Sequence, residues 1–145
     1  NDAPQTLTRL MNMGVPAFNI ATSVNLIIAQ RLGRRLCGYC KTMDDLPEDI
    51  LLNEGFTEED LEEPPKIYKA VGCDQCTNGY KGRVGIYQVM KISEDMTRLI
   101  MNGANSIDLA DQARKEGIPD LRRSALKKIM AGLISLEEAN RVTKD

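Results

Sequence analysis

The sequence predicts an α/β chain, mostly helical, with short antiparallel strands near its middle. Two patterns predict this. The last fifty residues are punctuated as helices, by capping side chains before apolar periodicity and by Gly103, Gly117 and Gly132 after it. The stretch from residue 67 to 89 instead reads as two β-rich runs around the turn dipeptide Asn78-Gly79. The length of 145 residues is about one ordinary domain, long enough to bury a core. Charged residues make up 28% and hydrophobic ones 42%, a globular rather than disordered composition.

From the start, Asp2 is placed to cap a helix whose first turn holds Ala3-Pro4, whose apolar face is Leu7, Leu10 and Met11, and which Gly14 ends. Residues 16–36 are ambiguous. Ile20, Val24, Ile27, Ile28, Leu32 and Leu36 fit a helical period, yet Leu26-Ile27-Ile28 also suits a buried strand. Pro47-Glu48-Asp49 opens a short helix closed by Gly55; Thr57 caps another turn, which Pro64-Pro65 stops. Residues 67–71 and 83–89 read as strands, the second with Val84 and Ile86 on one face. Ser93 caps 94–102, Ser106 caps 107–116 and Asp120 caps 121–131. The helix from 121 carries an apolar stripe of Leu121, Ala125, Ile129 and Met130, opposite Arg122, Arg123, Lys127 and Lys128, which are expected to face solvent. Ser135 and Glu138 form a capping box for the final helix.

Charge is unevenly placed. Ten of the 21 acidic residues fall between Asp44 and Glu63 with no base among them, leaving 11 acids against 19 bases elsewhere. Such a block reads as a solvated excursion, or alternatively as a docking surface for a basic partner. No apolar run approaches the ~18 residues of a membrane-spanning helix. No basic stub followed by an apolar core opens the chain, so no signal peptide is expected. The chain begins at Asn1 with its first methionine at Met11, as expected of a fragment.

There is no histidine. That excludes Ser-His-Asp and Cys-His catalysis and any imidazole metal ligand. The strongest chemical signal is a pair of C-x-x-C motifs, Cys37-Gly38-Tyr39-Cys40 and Cys73-Asp74-Gln75-Cys76, separated by 32 residues. Two residues between thiols let one tight turn aim both sulfurs at a single ion, and two such turns complete the tetrahedral thiolate set of a structural Zn²⁺. The long spacer costs little, since doubling a loop adds only about 0.6 kcal/mol of closure entropy. The expected metal ligands are therefore Cys37, Cys40, Cys73 and Cys76, with a closed shell that leaves no position for water or substrate. Four thiolates around Zn²⁺ leave a net negative charge, which Arg34, Arg35, Lys41, Lys81 and Arg83 lie near enough in sequence to offset. Two disulfides would need an oxidising compartment, and a thioredoxin-like redox pair would need a βαβ context. A zinc-ribbon nucleic-acid module is a further alternative suggested by the basic remainder. The six aromatic residues do not interleave with the bases as stacking platforms would, so no nucleic acid is expected.

Several strings together resemble the C-terminal end of the type II/IV secretion ATPase superfamily, and within it the type IV pilus assembly (extension) ATPases of the PilB type. The type II secretion ATPases are near relatives. Asn1-Asp2-Ala3 resembles the tail of the family's histidine box. Ala29-Gln30-Arg31-Leu32 and Arg34-Arg35-Leu36-Cys37 resemble the approach to its first cysteine pair. Gly72-Cys73-Asp74-Gln75-Cys76, Gly79-Tyr80, Gly82-Arg83 and Gly85-Ile86-Tyr87 resemble the second pair and the following strand. Gly132, Ser135, Glu137, Glu138 and Arg141-Val142 resemble its closing helix. The resemblance implies the end of a RecA-like ATPase core over residues 1–36, a tetracysteine zinc region over 37–92 with the acidic insert 44–63, and a helical subdomain over 93–145. It makes residues 25–36 a strand. It implies a hexameric motor, cytoplasmic and peripheral to the inner membrane, that uses ATP and Mg²⁺ to drive an inner-membrane platform protein. Arg31, Arg34 and Arg35 would then face nucleotide or a neighbouring subunit, or else balance thiolate charge or sit in solvent. No G-x-x-x-x-G-K-[ST] loop occurs in these residues, so no catalytic residue is assigned and the stretch alone is not expected to hydrolyse ATP.

Overall fold

The computed structural model describes residues 2–144. In chain order the elements are α1 (Ala3–Asn12), α2 (Ala17–Ser23), β1 (Leu26–Leu36), β2 (Thr42–Met43), α3 (Glu48–Glu54), α4 (Glu58–Glu62), β3 (Tyr68–Lys69), β4 (Tyr80–Lys91), α5 (Glu94–Met101), α6 (Ser106–Lys115), α7 (Leu121–Met130) and α8 (Leu136–Thr143). β1 pairs with β4, and β2 pairs antiparallel with β3, Thr42 opposite Lys69 and Met43 opposite Tyr68. Ile92 N–H donates to Asn25 O, and Cys37 N–H donates to Gly79 O, so the long ribbon of β1 and β4 is antiparallel as well. The chain is an α/β fold rich in helix, as its patterning predicts.

The chain divides into two compact units, Asn1–Gln30 with Tyr87–Leu121, and Arg31–Ile86 with Arg122–Asp145. Each long strand contributes to both.

In the first unit, Asp2 and Gln5 form a reciprocal capping box on α1, with Asp2 Oδ1 accepting from Gln5 N at 2.9 Å. Ala3, Leu7, Ile20, Met90, Met96, Ile100, Leu109 and Ala113 build the core together with Ile27 and Ala29. Gln88 sits in the same buried register as Met90 because its Oε1 accepts from the Ala3 N–H at 3.0 Å, one of the amides a helix start leaves without a partner. The helical period over residues 16–36 holds only as far as Ser23. Val24 turns extended (φ −90°, ψ 118°), and burial then alternates, with Ile27 and Ala29 inward and Leu26 and Ile28 outward. Pairing with β4 decides between the two patterns, as the family resemblance implied. α6 begins one residue earlier than expected: Asn105, not Ser106, is the cap, because its Oδ1 accepts from Asp108 N at 2.9 Å.

In the second unit, α3 and α4 stand where the turn signals put them, with Gly55 left-handed (φ 113°) and Thr57 accepting from Asp60 N. β3 covers only Tyr68–Lys69 rather than 67–71. Ile67 still accepts from Asp44 N at 2.7 Å, one step beyond the ladder. Leu51, Phe56, Ile67, Ile86, Leu126, Ile129, Ile134 and Val142 are buried. Two charge expectations are corrected here. The acidic block is not wholly solvated, and the basic face of α7 is not free. Arg122 Nη2 reaches Glu54 Oε2 at 2.8 Å, and Arg123 pairs with Asp60 through both carboxylate oxygens at 2.6 and 2.8 Å. Lys144 adds a further contact to Glu54 at 2.9 Å. The basic partner of the insert therefore lies in the same chain, while Glu48, Asp49, Glu58, Glu59, Glu62 and Glu63 remain exposed.

Candidate metal centre

The two C-x-x-C turns hang from the second-unit ends of the long strands. Cys37 follows the last residue of β1; its N–H donates to Gly79 O at 2.9 Å, and Lys41 N–H closes the turn on Cys37 O at 3.1 Å. The second turn closes through Cys76 N–H to Cys73 O. The chain then reverses at Asn78 (φ 55°) and Gly79 (φ 94°), as the dipeptide predicts for a primed turn. A Cβ on Gly79 would lie 2.5 Å from Ala70 Cβ and 2.8 Å from Val71 N, so only glycine fits this approach.

These turns bring all four sulfurs within 4.8 Å of one another. Cys37 to Cys73 is 3.8 Å, and both Cys40 to Cys76 and Cys73 to Cys76 are 3.7 Å. A disulfide bond is about 2.05 Å, so these are four separate thiols. A regular tetrahedron with arms of about 2.3 Å, the usual zinc–thiolate distance, has edges of about 3.8 Å. The donor set and its spacing thus fit a tetrahedral thiophilic ion. Amides already point at the sulfurs: Gly72 N–H at Cys40 Sγ (3.4 Å), Cys73 N–H at Cys76 Sγ (3.3 Å) and Gln75 N–H at Cys73 Sγ (3.4 Å).

The thiols differ in acidity. Burial opposes ionisation of Cys37, yet hydrogen bonds from the backbone of Tyr39 and Cys40, helped by neighbouring sulfurs, bring it down to about 7. The Gln75 amide favours the Cys73 thiolate, but burial and the other three sulfurs push Cys73 up to about 12. Charge on Cys37 is thus favoured while charge on Cys73 beside the other sulfurs is opposed, an opposition that a bound dication would relieve.

Three of the five basic residues near the cysteines engage partners of their own. Arg34 binds Glu138 and lies over the Tyr80 ring at 4.3 Å. Lys41 Nζ donates to Gly132 O at 3.0 Å and lies over Tyr68 at 4.4 Å. Lys81 lies over Tyr39 at 5.6 Å, and Arg35 and Arg83 are exposed. Arg31 donates to Val142 O at 3.1 Å.

Glu138 is the residue whose role sequence reading missed. Ser135 caps α8 as expected, accepting from Glu138 N at 3.1 Å, but the Glu138 carboxylate does not return to the cap. It is fully buried and takes the Arg34 N–H at 2.6 Å, the Arg34 guanidinium at 2.9 Å and Arg141 at 2.7 Å. Burial alone would raise its pKa; the Arg141 and Arg34 contacts outweigh it and hold the carboxyl at about 2. Its place in the capping-box pattern points the side chain at the wrong partner, and its place in the closing-helix string names no partner at all.

Among the described residues no helix is long and apolar enough to cross a membrane. The chain is 61% identical over its full length to the type IV pilus assembly ATPase PilB of Pseudomonas aeruginosa. It is 43% identical over 95% of its length to the PilB of Myxococcus xanthus, and 36% identical over its full length to the type II secretion system protein HxcR of Pseudomonas aeruginosa. It spans about a quarter of the length of these curated relatives, 25%, 25% and 27% respectively. With residues 1–141 matched by the model of the type II/IV secretion system proteins, the chain belongs to that family.

Proposed function

We propose that the chain is the zinc-binding portion of a motor ATPase that powers type IV pilus assembly. The observation that carries this is end-to-end similarity to a pilus assembly ATPase, 61% against 36% for a type II secretion relative. That difference favours pilus assembly over the equivalent region of a secretion ATPase. In this reading the rest of the protein supplies the phosphate-binding loop and the ATP and Mg²⁺ site. Residues 1–36 close its RecA-like core, 37–92 form the zinc region and 93–145 the helical subdomain. The whole protein assembles as a hexameric ring, cytoplasmic and peripheral to the inner membrane, and acts on an inner-membrane platform protein.

Cys37, Cys40, Cys73 and Cys76 would hold the zinc. A closed shell of four thiolates gives the ion a structural duty, with no site for water or substrate. It ties the end of β1 to the start of β4 across the insert.

The test uses the full-length protein. Expected are one zinc per chain, ATP hydrolysis, ring-shaped particles, and restored pili in a strain lacking its pilus assembly ATPase. A protein that neither hydrolyses ATP nor forms rings overturns the motor reading. Rescue of a type II secretion mutant but not of a pilus mutant replaces it with the secretion reading.

A further inference from the structure

We propose that the segment from Gly132 to Glu138 is the positioning element of the metal centre, setting the separation of the two C-x-x-C turns before any ion arrives. This rests on the metal reading above. The physical problem is one of distance. Within each turn, two residues of spacer fix one pair of sulfurs. Nothing local fixes one pair against the other, because 32 residues separate them. Thiolate–metal distances are tolerated to within about 0.2 Å, so some other part of the chain must hold both turns.

Residues 132–135 touch both. On the first turn, Leu36 N–H donates to Leu133 O at 2.8 Å, just before Cys37, and Lys41 Nζ donates to Gly132 O at 3.0 Å, just after Cys40. The first cysteine pair is therefore bracketed by two bonds to adjacent carbonyls. On the second turn, Tyr80 Oη shares a hydrogen bond of 2.8 Å with Ser135 Oγ, and both are buried. Tyr80 is in turn bound to Thr77 by two backbone bonds of 2.9 and 3.0 Å, and Thr77 adjoins Cys76. Gly132 is left-handed (φ 78°), a backbone conformation that favours glycine, and it lies against Lys41 Nζ and the Tyr68 ring.

Glu138 fastens this segment. Its N–H binds Ser135 Oγ, its carboxylate binds the backbone and guanidinium of Arg34 three residues before Cys37, and that guanidinium covers Tyr80. One buried carboxylate thus braces the approaches to both turns. Groups of this kind, outside the ligand shell, typically change metal affinity about 10–100-fold when removed.

The experiment measures Zn²⁺ affinity of the purified protein by competition with a chromophoric chelator, and records the visible absorption of its Co²⁺ form. The variants are Tyr80→Phe, Ser135→Ala, Glu138→Gln and Glu138→Asp. Leu109→Ala serves as a control that weakens the first unit without touching this network. The expected result is about a 10-fold loss of affinity for Tyr80→Phe and Ser135→Ala, and up to about 100-fold for Glu138→Gln. Glu138→Asp should recover part of it, the Co²⁺ bands should shift in the weakened variants, and Leu109→Ala should bind as the wild type does. Wild-type affinity and spectrum in both Tyr80→Phe and Ser135→Ala would overturn the inference alone. A wild-type protein that takes up neither ion would overturn it together with the metal reading.

Discussion

The two units are held together by different means. In the first, the buried interior among the described residues is apolar apart from Gln88, and the ion pairs Arg98–Asp95 and Arg114–Asp111 are local, three residues apart, and well exposed. In the second, ion pairs span long stretches of chain and sit partly or wholly out of water: Arg34 to Glu138, Arg122 to Glu54 and Arg123 to Asp60. The contrast follows from what each must join. The first unit packs helices whose apolar faces meet directly. The second must pin an acidic, glycine-bounded excursion and two distant cysteine turns, so long-range polar contacts supplement its apolar residues.

The largest expected effect separates the units outright. Removing the metal with a chelator, or making Cys76→Ser, should abolish amide protection across residues 37–76 while α1, α5 and α6 keep theirs in hydrogen exchange. Structural zinc supplies about 10–16 kcal/mol in small peptides, and a missing ligand strands the remaining thiolates. An unchanged melting curve would show that the four thiols carry no such duty. The mirror experiment is Leu7→Ala or Met96→Ala, each fully buried in the first unit. A cost of about 2–5 kcal/mol is expected by denaturant titration, with Zn²⁺ affinity unaltered.

Next in size is Glu138. Its carboxyl titrates at about 2 in the fold against an ordinary 4.5. Its contribution is therefore complete above about 4.5 and is lost as pH falls from there toward 2. Glu138→Gln should cost about 3 kcal/mol at neutral pH, since it leaves a buried charge network without its centre. It should also flatten the loss of stability over that acid window. An equally steep acid limb in the variant would assign the titration to other carboxylates, Asp60 and Glu54 among them, whose pKa values are also lowered by their basic partners.

The smallest effect distinguishes the two kinds of ion pair. Arg122→Met, which removes a guanidinium held by Glu54, Asn140 and Thr143, should cost about 1–3 kcal/mol. Arg98→Ala, on the exposed surface of α5, should stay within about 0.5 kcal/mol. Matching values from chemical denaturation would erase the distinction between the units.

The sequence revealed most where a residue acts through its own neighbours. Asp2, Thr57, Ser93, Ser135 and the Asn78-Gly79 turn stand where local hydrogen bonding puts them. The convergence of Cys37, Cys40, Cys73 and Cys76 was legible for a similar reason, since C-x-x-C spacing already aims two sulfurs together. What stayed hidden was pairing across distance. The apolar residues from Ile20 to Leu36 satisfied a helical period, and only the presence of β4 selects the strand. The bases of α7 and the acids of the insert looked like two solvated surfaces, because nothing in either stretch names the other. Glu138 fitted a capping pattern whose backbone half it fulfils, while its carboxylate went to Arg34 and Arg141.

The pairing of β2 with β3 has a practical consequence. Thr42 faces Lys69 and Met43 faces Tyr68, so the two ends of the acidic excursion stand at the separation of a hairpin's last rungs. A short I′ turn grafted between Met43 and Tyr68 would match the register of these two rungs, but it would remove buried Leu51, Phe56 and Ile67 and leave Arg122 and Arg123 without Glu54 and Asp60. The stretch is therefore a graft site only at its exposed positions. A reporter carried at Glu62 and Glu63 would leave the ladder, the buried side chains and both ion pairs in place.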